Sequence, residues 1–265
     1  MPRSKDRYTQ IIEWIFKKYY QEGKNEFSFE RADIIDAAKE LDIKLPKNLG
    51  DVLYSFRYRK SLPEIITGRT KEGYEWMIRP GGRGRYTMAM VVQSAIVPSQ
   101  ILVETKVLDS TPGIINKYAL NDEQALPAKL RYNRLVDIFT GLTCYSLQSH
   151  LRTIVLHLGQ IETDEIYIGI DRRGAHYVLP VQAKSGNDKL GIVQIEQDLA
   201  MCSTKFPNLI CRAIAAQFME GDLIALFELE QTEEGVRVSA ERHYRLVHPE
   251  NLSSEELDEY RRRPF

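Results

Sequence analysis

Residues 160–186 read QIETDEIYIGIDRRGAHYVLPVQAKSG. Two apolar runs, 166–170 and 177–181, flank a polar turn in which Gly174 supplies the backbone freedom of a tight reversal, so the segment is predicted to form two antiparallel strands. Side chains alternate faces along a strand. Glu162 and Asp164 therefore fall on the face of Ile166, while Gln182 and Lys184 share one face of the second strand and Val181 and Ala183 the other. Pairing the two runs sets Asp164 beside Gln182 and Lys184, gathering a carboxylate, an amide oxygen and an ammonium around one point. A lysine directly after the apolar LPVQA run needs a partner.

Working outward from the hairpin, residues 151–158 form a strongly β-branched run and are predicted to be the preceding strand. Residues 129–139, KLRYNRLVDIF, have apolar positions at helical spacing and end at Gly141. On the other side a polar turn at 185–188 leads into a predicted helix over 192–206, with Ile195, Leu199 and Cys202 inward and Gln194, Glu196 and Gln197 near its start. Apolar runs at 210–218, 223–229 and 236–247 supply further strands, and a short helix begins at Ser254. The order implies an α/β (α+β) fold, a mixed sheet flanked by helices.

These residues resemble the PD-(D/E)XK nucleases, a superfamily that includes restriction endonucleases. The resemblance is carried by Thr163-Asp164 and Gln182-Ala183-Lys184, separated by seventeen residues and placed on a hairpin with a helix following, and it covers roughly residues 128–230. It departs from the family pattern at Thr163, where proline is usual, and at Gln182, where a second acid is usual. The helix before the first core strand often presents an acid, and that position here is Asn133. The resemblance implies a Mg²⁺-dependent deoxyribonuclease, with the ion seated by Asp164, the Gln182 amide oxygen and the Ala183 carbonyl. Lys184 would orient and help deprotonate the attacking water, or steady the transition state with a fixed positive charge. Glu162 would add charge to the site, with Glu165, Gln194 and Gln197 as accessory residues. An acid introduced at 182 is expected to tighten Mg²⁺ binding.

Residues 1–92 carry 18 lysines and arginines against 13 acids, a net of +5, whereas residues 93–265 carry 18 against 24, a net of −6. That division suggests a first part that approaches a polyanion and a second that holds cations. Three short helices are predicted, around Ile11 to Tyr19, from an N-cap at Ser28, and from an N-cap at Asn48. Strand-like residues 64–67, a turn at 69–73, a strand at 74–79 and the basic stretch PGGRGRY at 80–86 follow. This order resembles a winged helix-turn-helix domain, which implies a third helix in the major groove of double-stranded DNA and a basic segment over the adjacent backbone. Arg57, Arg59, Lys60, Arg83 and Arg85 are the candidate DNA-binding residues. The expected organisation is a winged-helix domain over 1–92, a linker or embellishment over 93–127, and a nuclease-like domain over 128–265.

The composition, 43% hydrophobic and 28% charged over 265 residues, is that of an ordinary globular chain. No apolar run reaches the roughly 18 to 20 residues of a membrane span and no leader follows the basic N-terminus, so a cytoplasmic protein without a membrane partner is expected. Cys144, Cys202 and Cys211 lack metal-ligand spacing. His150 and His157, seven apart, fall on opposite faces of a regular strand and cannot share a metal. Walker, G-x-S-x-G and H-x-x-x-H patterns are absent. Cutting both DNA strands with one site per chain implies a homodimer, and the restriction-like reading implies a companion DNA methyltransferase acting on the same site. The alternative is a non-catalytic DNA-binding regulator carrying an inactive nuclease-like domain, supported by the amides at 133 and 182; a protein-docking module is a third reading.

Overall fold

In residues 7–19, apolar side chains recur at 11, 12, 15 and 16, one side of a helix, and Ile11, Ile12, Ile15 and Phe16 are buried in the computed structural model. The structure describes residues 6–92, 95–119, 122–156, 158–185, 188, 190–233 and 235–263. The chain divides into two compact units, one of residues 1–96 with 153–161 and 191–193, the other of residues 97–152, 162–190 and 194–265.

The first unit contains α1 (Arg7–Tyr19), β1 (Glu26–Glu30), α2 (Arg31–Glu40), α3 (Gly50–Tyr58), α4 (Glu64–Thr67), β2 (Glu75–Pro80), β3 (Arg85–Val91) and β4 (Ala95–Ile96). Strands β1, β3 and β2 form an antiparallel sheet in that order. Ile34 of α2, Val52 and Leu53 of α3, Ile66 of α4, Trp76 and Ile78 of β2 and Met88 of β3 close the core with the α1 residues. Burying each of these large side chains contributes roughly 1.5–3 kcal/mol.

Three local features differ from the sequence expectation. Ser28 lies inside β1 and does not cap α2; Glu30 is the cap, with its own N–H donated to Asp33 Oδ2 at 2.7 Å. Residues 64–67 are one helical turn rather than a strand, because Pro63 starts it and its carbonyl accepts the N–H groups of Ile66 and Thr67. The glycine-arginine stretch is the turn of the β2–β3 hairpin itself, with Gly82 and Gly84 at positive φ. The Tyr58 side chain and His157 lie outside the described residues.

The elements wholly or partly in the second unit are β5 (Glu104–Leu108), α5 (Gly113–Tyr118), α6 (Asp122–Tyr132), α7 (Leu135–Thr140), β6 (Thr143–Val155), β7 (Gly159–Ile170), β8 (His176–Lys184), β9 (Leu190–Gly191), α8 (Ile192–Lys205), β10 (Ile210–Cys211), β11 (Ala213–Phe218), β12 (Leu223–Thr232), β13 (Gly235–Val247) and α9 (Ser254–Arg262). Its sheet runs β5-β13-β12-β11-β8-β7-β6, with β10 also paired to β8. The β8–β11 and β13–β5 pairs are parallel and β7–β8, β11–β12 and β12–β13 antiparallel, so this is a mixed sheet accompanied by helices, an α/β arrangement. Leu126, Leu130, Leu135 and Val136 of α6 and α7 pack on Leu179, Val181, Ile214, Ala216 and Leu226 of the sheet.

Residues 129–139 are not one helix. Arg134 adopts φ 51, and the chain turns between α6 and α7 where the buried Asn133 side chain donates to Thr111 Oγ1 at 2.8 Å and accepts the Ser110 N–H at 2.6 Å. Asn133 thus braces the loop after β5. Within residues 93–127, β5 is a strand of the large sheet, paired along its length with β13. Strand β6 starts at Thr143, well before the β-branched run, and His150 inside it has φ 49, which interrupts the strict alternation expected there.

Candidate functional site

The β7–β8 hairpin forms as its pattern dictates. Asp171 accepts the N–H groups of Arg173 at 2.8 Å and Ala175 at 2.9 Å, Gly174 takes φ 83, and the register runs from Ile170–His176 to Glu165–Val181. The Ala175 and Arg173 N–H groups, with the Arg173 guanidinium, hold the Asp171 carboxyl down at about 2.

Beyond Glu165–Val181 the regular register gives way to side-chain bonds. Asp164 Oδ2 accepts the Ala183 N–H at 2.9 Å and stands 4.0 Å from Lys184 Nζ. The two side chains are 23% and 19% exposed, buried enough to feel each other and open enough to meet a solute. Gln182 is instead fully buried. Its Nε2 donates to Asp198 Oδ2 at 2.9 Å and to the Glu162 carbonyl at 3.3 Å, and its Oε1 lies 3.5 Å from Gln194 Nε2.

Asp198 on α8 is the group that the sequence reading missed. It is 1% exposed and accepts from Thr163 Oγ1 at 2.5 Å as well as from Gln182. Burial pushes its carboxyl up to about 7, the Asp164 charge adds to the rise, and the two hydrogen bonds and Lys184 oppose it. A signal was present: Asp198 follows Ile195 by three and precedes Cys202 by four, an acid within the inward stripe of a helix.

No family model, curated protein or solved structure matches this chain.

The other candidates from the hairpin region are dispersed. The Glu162 side chain is 43% exposed and paired with Arg152 at 3.0 Å. Glu165 is buried and held by Arg131 at 2.5 Å, Ser149 at 2.8 Å and Ser146 at 3.3 Å, a bridge between α6, β6 and β7. Gln197 is buried on α8. Gln217 of β11 pairs in register with Lys184, and its Nε2 donates to the Asp188 carbonyl at 2.8 Å.

Among the described residues no three carboxylate, imidazole or thiolate groups come together as a cation cage. Mg²⁺ does not require one, since it keeps several waters and takes one or two carboxylates with substrate phosphate. Asp164 supplies such a carboxylate. The Oε1 atoms of Gln194 and Gln217 are buried with no hydrogen-bond partner in the structure, oxygens suited to a cation or its waters. The donor set is all oxygen and fits a hard divalent ion.

In the first unit the candidate basic residues divide into two kinds. Arg59, Lys60, Arg83 and Arg85 are exposed; Arg59 lies over the Tyr54 ring, Lys60 pairs with Asp6 at 2.8 Å, and Arg85 is 3.7 Å from Glu30. Arg57 is half-buried, donates Nε to the Ile78 carbonyl at 3.1 Å and sits over the Tyr86 ring, tying α3 to the β2–β3 hairpin.

Proposed function

We propose that this protein is a Mg²⁺-dependent deoxyribonuclease of the PD-(D/E)XK, restriction-endonuclease-like kind, acting on double-stranded DNA, with a winged-helix reader in residues 1–92. The observation that carries the reading is the half-buried Asp164–Lys184 pair where the β7–β8 pairing ends, 4.0 Å apart. Helices α1, α2 and α3 and the β2–β3 hairpin of the first unit, with four exposed cations just after α3 and on the hairpin, support the reader.

Asp164 would hold the ion, with the Gln182 amide oxygen and the Ala183 carbonyl. Bound there, Mg²⁺ supplies charge neutralisation on the phosphate and acidification of a water. Lys184 keeps a positive charge beside Asp164, where it donates to and orients the attacking water and faces the negative charge that builds on the phosphate oxygens. The Ala183 N–H fixes the Asp164 carboxylate, so its direction is set before substrate arrives. A homodimer brings two such sites to the two strands, and a companion methyltransferase would protect the host site.

The test is incubation of purified protein with supercoiled plasmid in Mg²⁺ or chelator, alongside Asp164→Ala and Lys184→Ala. Mg²⁺-dependent cutting by the parent and its loss in both variants, with duplex binding within a few-fold, is the expected result. Cutting that survives in either variant moves the active site elsewhere. One observation favours a second reading, a non-catalytic DNA-binding regulator: the Gln182 amide is neutral and fully buried. A parent that binds duplex but never cuts it would establish that reading.

A further inference from the structure

The buried network behind the Asp164–Lys184 pair runs from Thr163 Oγ1 to Asp198 Oδ1, from Asp198 Oδ2 to Gln182 Nε2, and from Gln182 Oε1 to Gln194 Nε2. It ties β7 and β8 to α8. A primary amide has two unlike ends, and a buried one is oriented by its partners. Here both acceptors, the Asp198 carboxylate and the Glu162 carbonyl, face the nitrogen. The Gln194 contact on the other end is long at 3.5 Å, so the oxygen end is weakly held.

We propose that Asp198 is a positioning residue of the site, accepting the Gln182 Nε2–H so that the amide oxygen is the end left to face a cation held by Asp164. The proposal rests on the reading of Asp164 and Lys184 as a Mg²⁺ site. It makes positions 182 and 198 a matched amide and acid, whose chemistry can be exchanged. Asp198→Asn leaves one oxygen and one NH₂ where two oxygens stood; with the oxygen taken by the Thr163 hydroxyl, the NH₂ faces Gln182 and turns that amide over. Gln182→Glu alone sets a second carboxylate about 3 Å from the first, and two such groups do not both ionise. The proton shared between positions 182 and 198 then takes up part of the charge that a free acid at 182 would offer to the cation. Combining the two substitutions restores one donor facing one acceptor.

The experiment uses the full chain, with melting temperature to confirm folding of each variant. Mg²⁺ alone is titrated by calorimetry into the parent, Asp198→Asn, Gln182→Glu and the double variant. Exchange of the Gln182 side-chain amide protons is followed after ¹⁵N-glutamine labelling, the resonance being assigned by its loss in Gln182→Glu. Asp198→Asn should lose about 10- to 100-fold in Mg²⁺ affinity, the range for loss of a ligand's supporting hydrogen bond, and the double variant should return to within a few-fold of the parent. The Gln182 amide protons should exchange slowly in the parent and fast in Asp198→Asn. Folded Asp198→Asn with parental Mg²⁺ affinity, or a double variant no better than the weaker single, overturns the proposal. If the parent shows a protected Gln182 amide but binds no Mg²⁺, the Mg²⁺ reading fails while the hydrogen bond stands; an unprotected amide in a parent that does bind Mg²⁺ defeats the positioning role alone.

Discussion

A carboxyl group shut away from water, as at Asp198, prefers its proton. Below roughly pH 4 an aspartate is protonated in the folded and unfolded chain alike. Between there and about 7, the value to which burial raises Asp198, the folded chain keeps a proton that the unfolded chain has released. Unfolding then releases a proton, so the stability that this group contributes is full below the unfolded value and is lost as pH rises through the folded one. Urea unfolding of the parent in chelator should show that downward slope between about pH 4 and 7, and Asp198→Asn should show a smaller one; equal slopes would mean that Asp198 ionises freely in the fold. Glu165 makes the opposite prediction. Its oxygens are consumed by Arg131, Ser146 and Ser149, so Glu165→Gln should lower stability by about 1–3 kcal/mol while the Mg²⁺ dependence of cleavage stays as in the parent. At this scale the chain order disclosed Asp164 and Lys184 because the strands that bear them are a local hairpin. Asp198 was hidden, since its neighbours Thr163 and Gln182 are 35 and 16 residues away and only packing of α8 brings them together.

Among the elements, the β2–β3 hairpin and α3 depend on Arg57, whose Nε holds the Ile78 carbonyl. Arg57→Ala should lower the melting temperature of the chain and weaken duplex binding through loss of structure. Arg59→Ala, Arg83→Ala and Arg85→Ala should leave melting unchanged, and each should reduce the slope of log affinity against log salt by about one unit, as release of one counterion requires. Fluorescence anisotropy with a labelled duplex at several NaCl concentrations measures this; parental slopes in all three exposed variants would defeat the assignment of this surface to DNA. The helices were legible where a stripe of apolar residues repeats, as in α1. Residues 64–67 were misread because Glu-Ile-Ile-Thr is strand-like by composition, and a proline-started turn that buries Ile66 overrides that preference. The break between α6 and α7 was illegible because it depends on Asn133 reaching the distant Ser110 and Thr111.

For the whole molecule, the proposed nuclease reading places one Asp164–Lys184 pair in each chain, so on that reading a single copy would sever one strand at a time. If two copies act together, mixing the parent with an excess of Asp164→Ala should turn the product from linear plasmid to nicked circle, since most assemblies would then hold one competent site. Linear product in undiminished proportion would show that one chain cuts both strands in turn. The division of charge was readable from composition, and so was the mixed sheet, because its strands and helices alternate in the chain. The strand order was not readable, because no local pattern pairs β5 with β13.

That last pairing sets a timetable. Arg245 grips Glu104 across 141 residues, and among the described residues β5 pairs in the sheet only with β13. At about 5–20 residues per second on the ribosome, β5 waits on the order of 10–30 s for that partner to be made. Through that interval its ETKVL edge stays open to chaperones, other nascent chains and solvent. Chains cut short before residue 235 would never end the wait, and they should be found in the insoluble fraction of the cell.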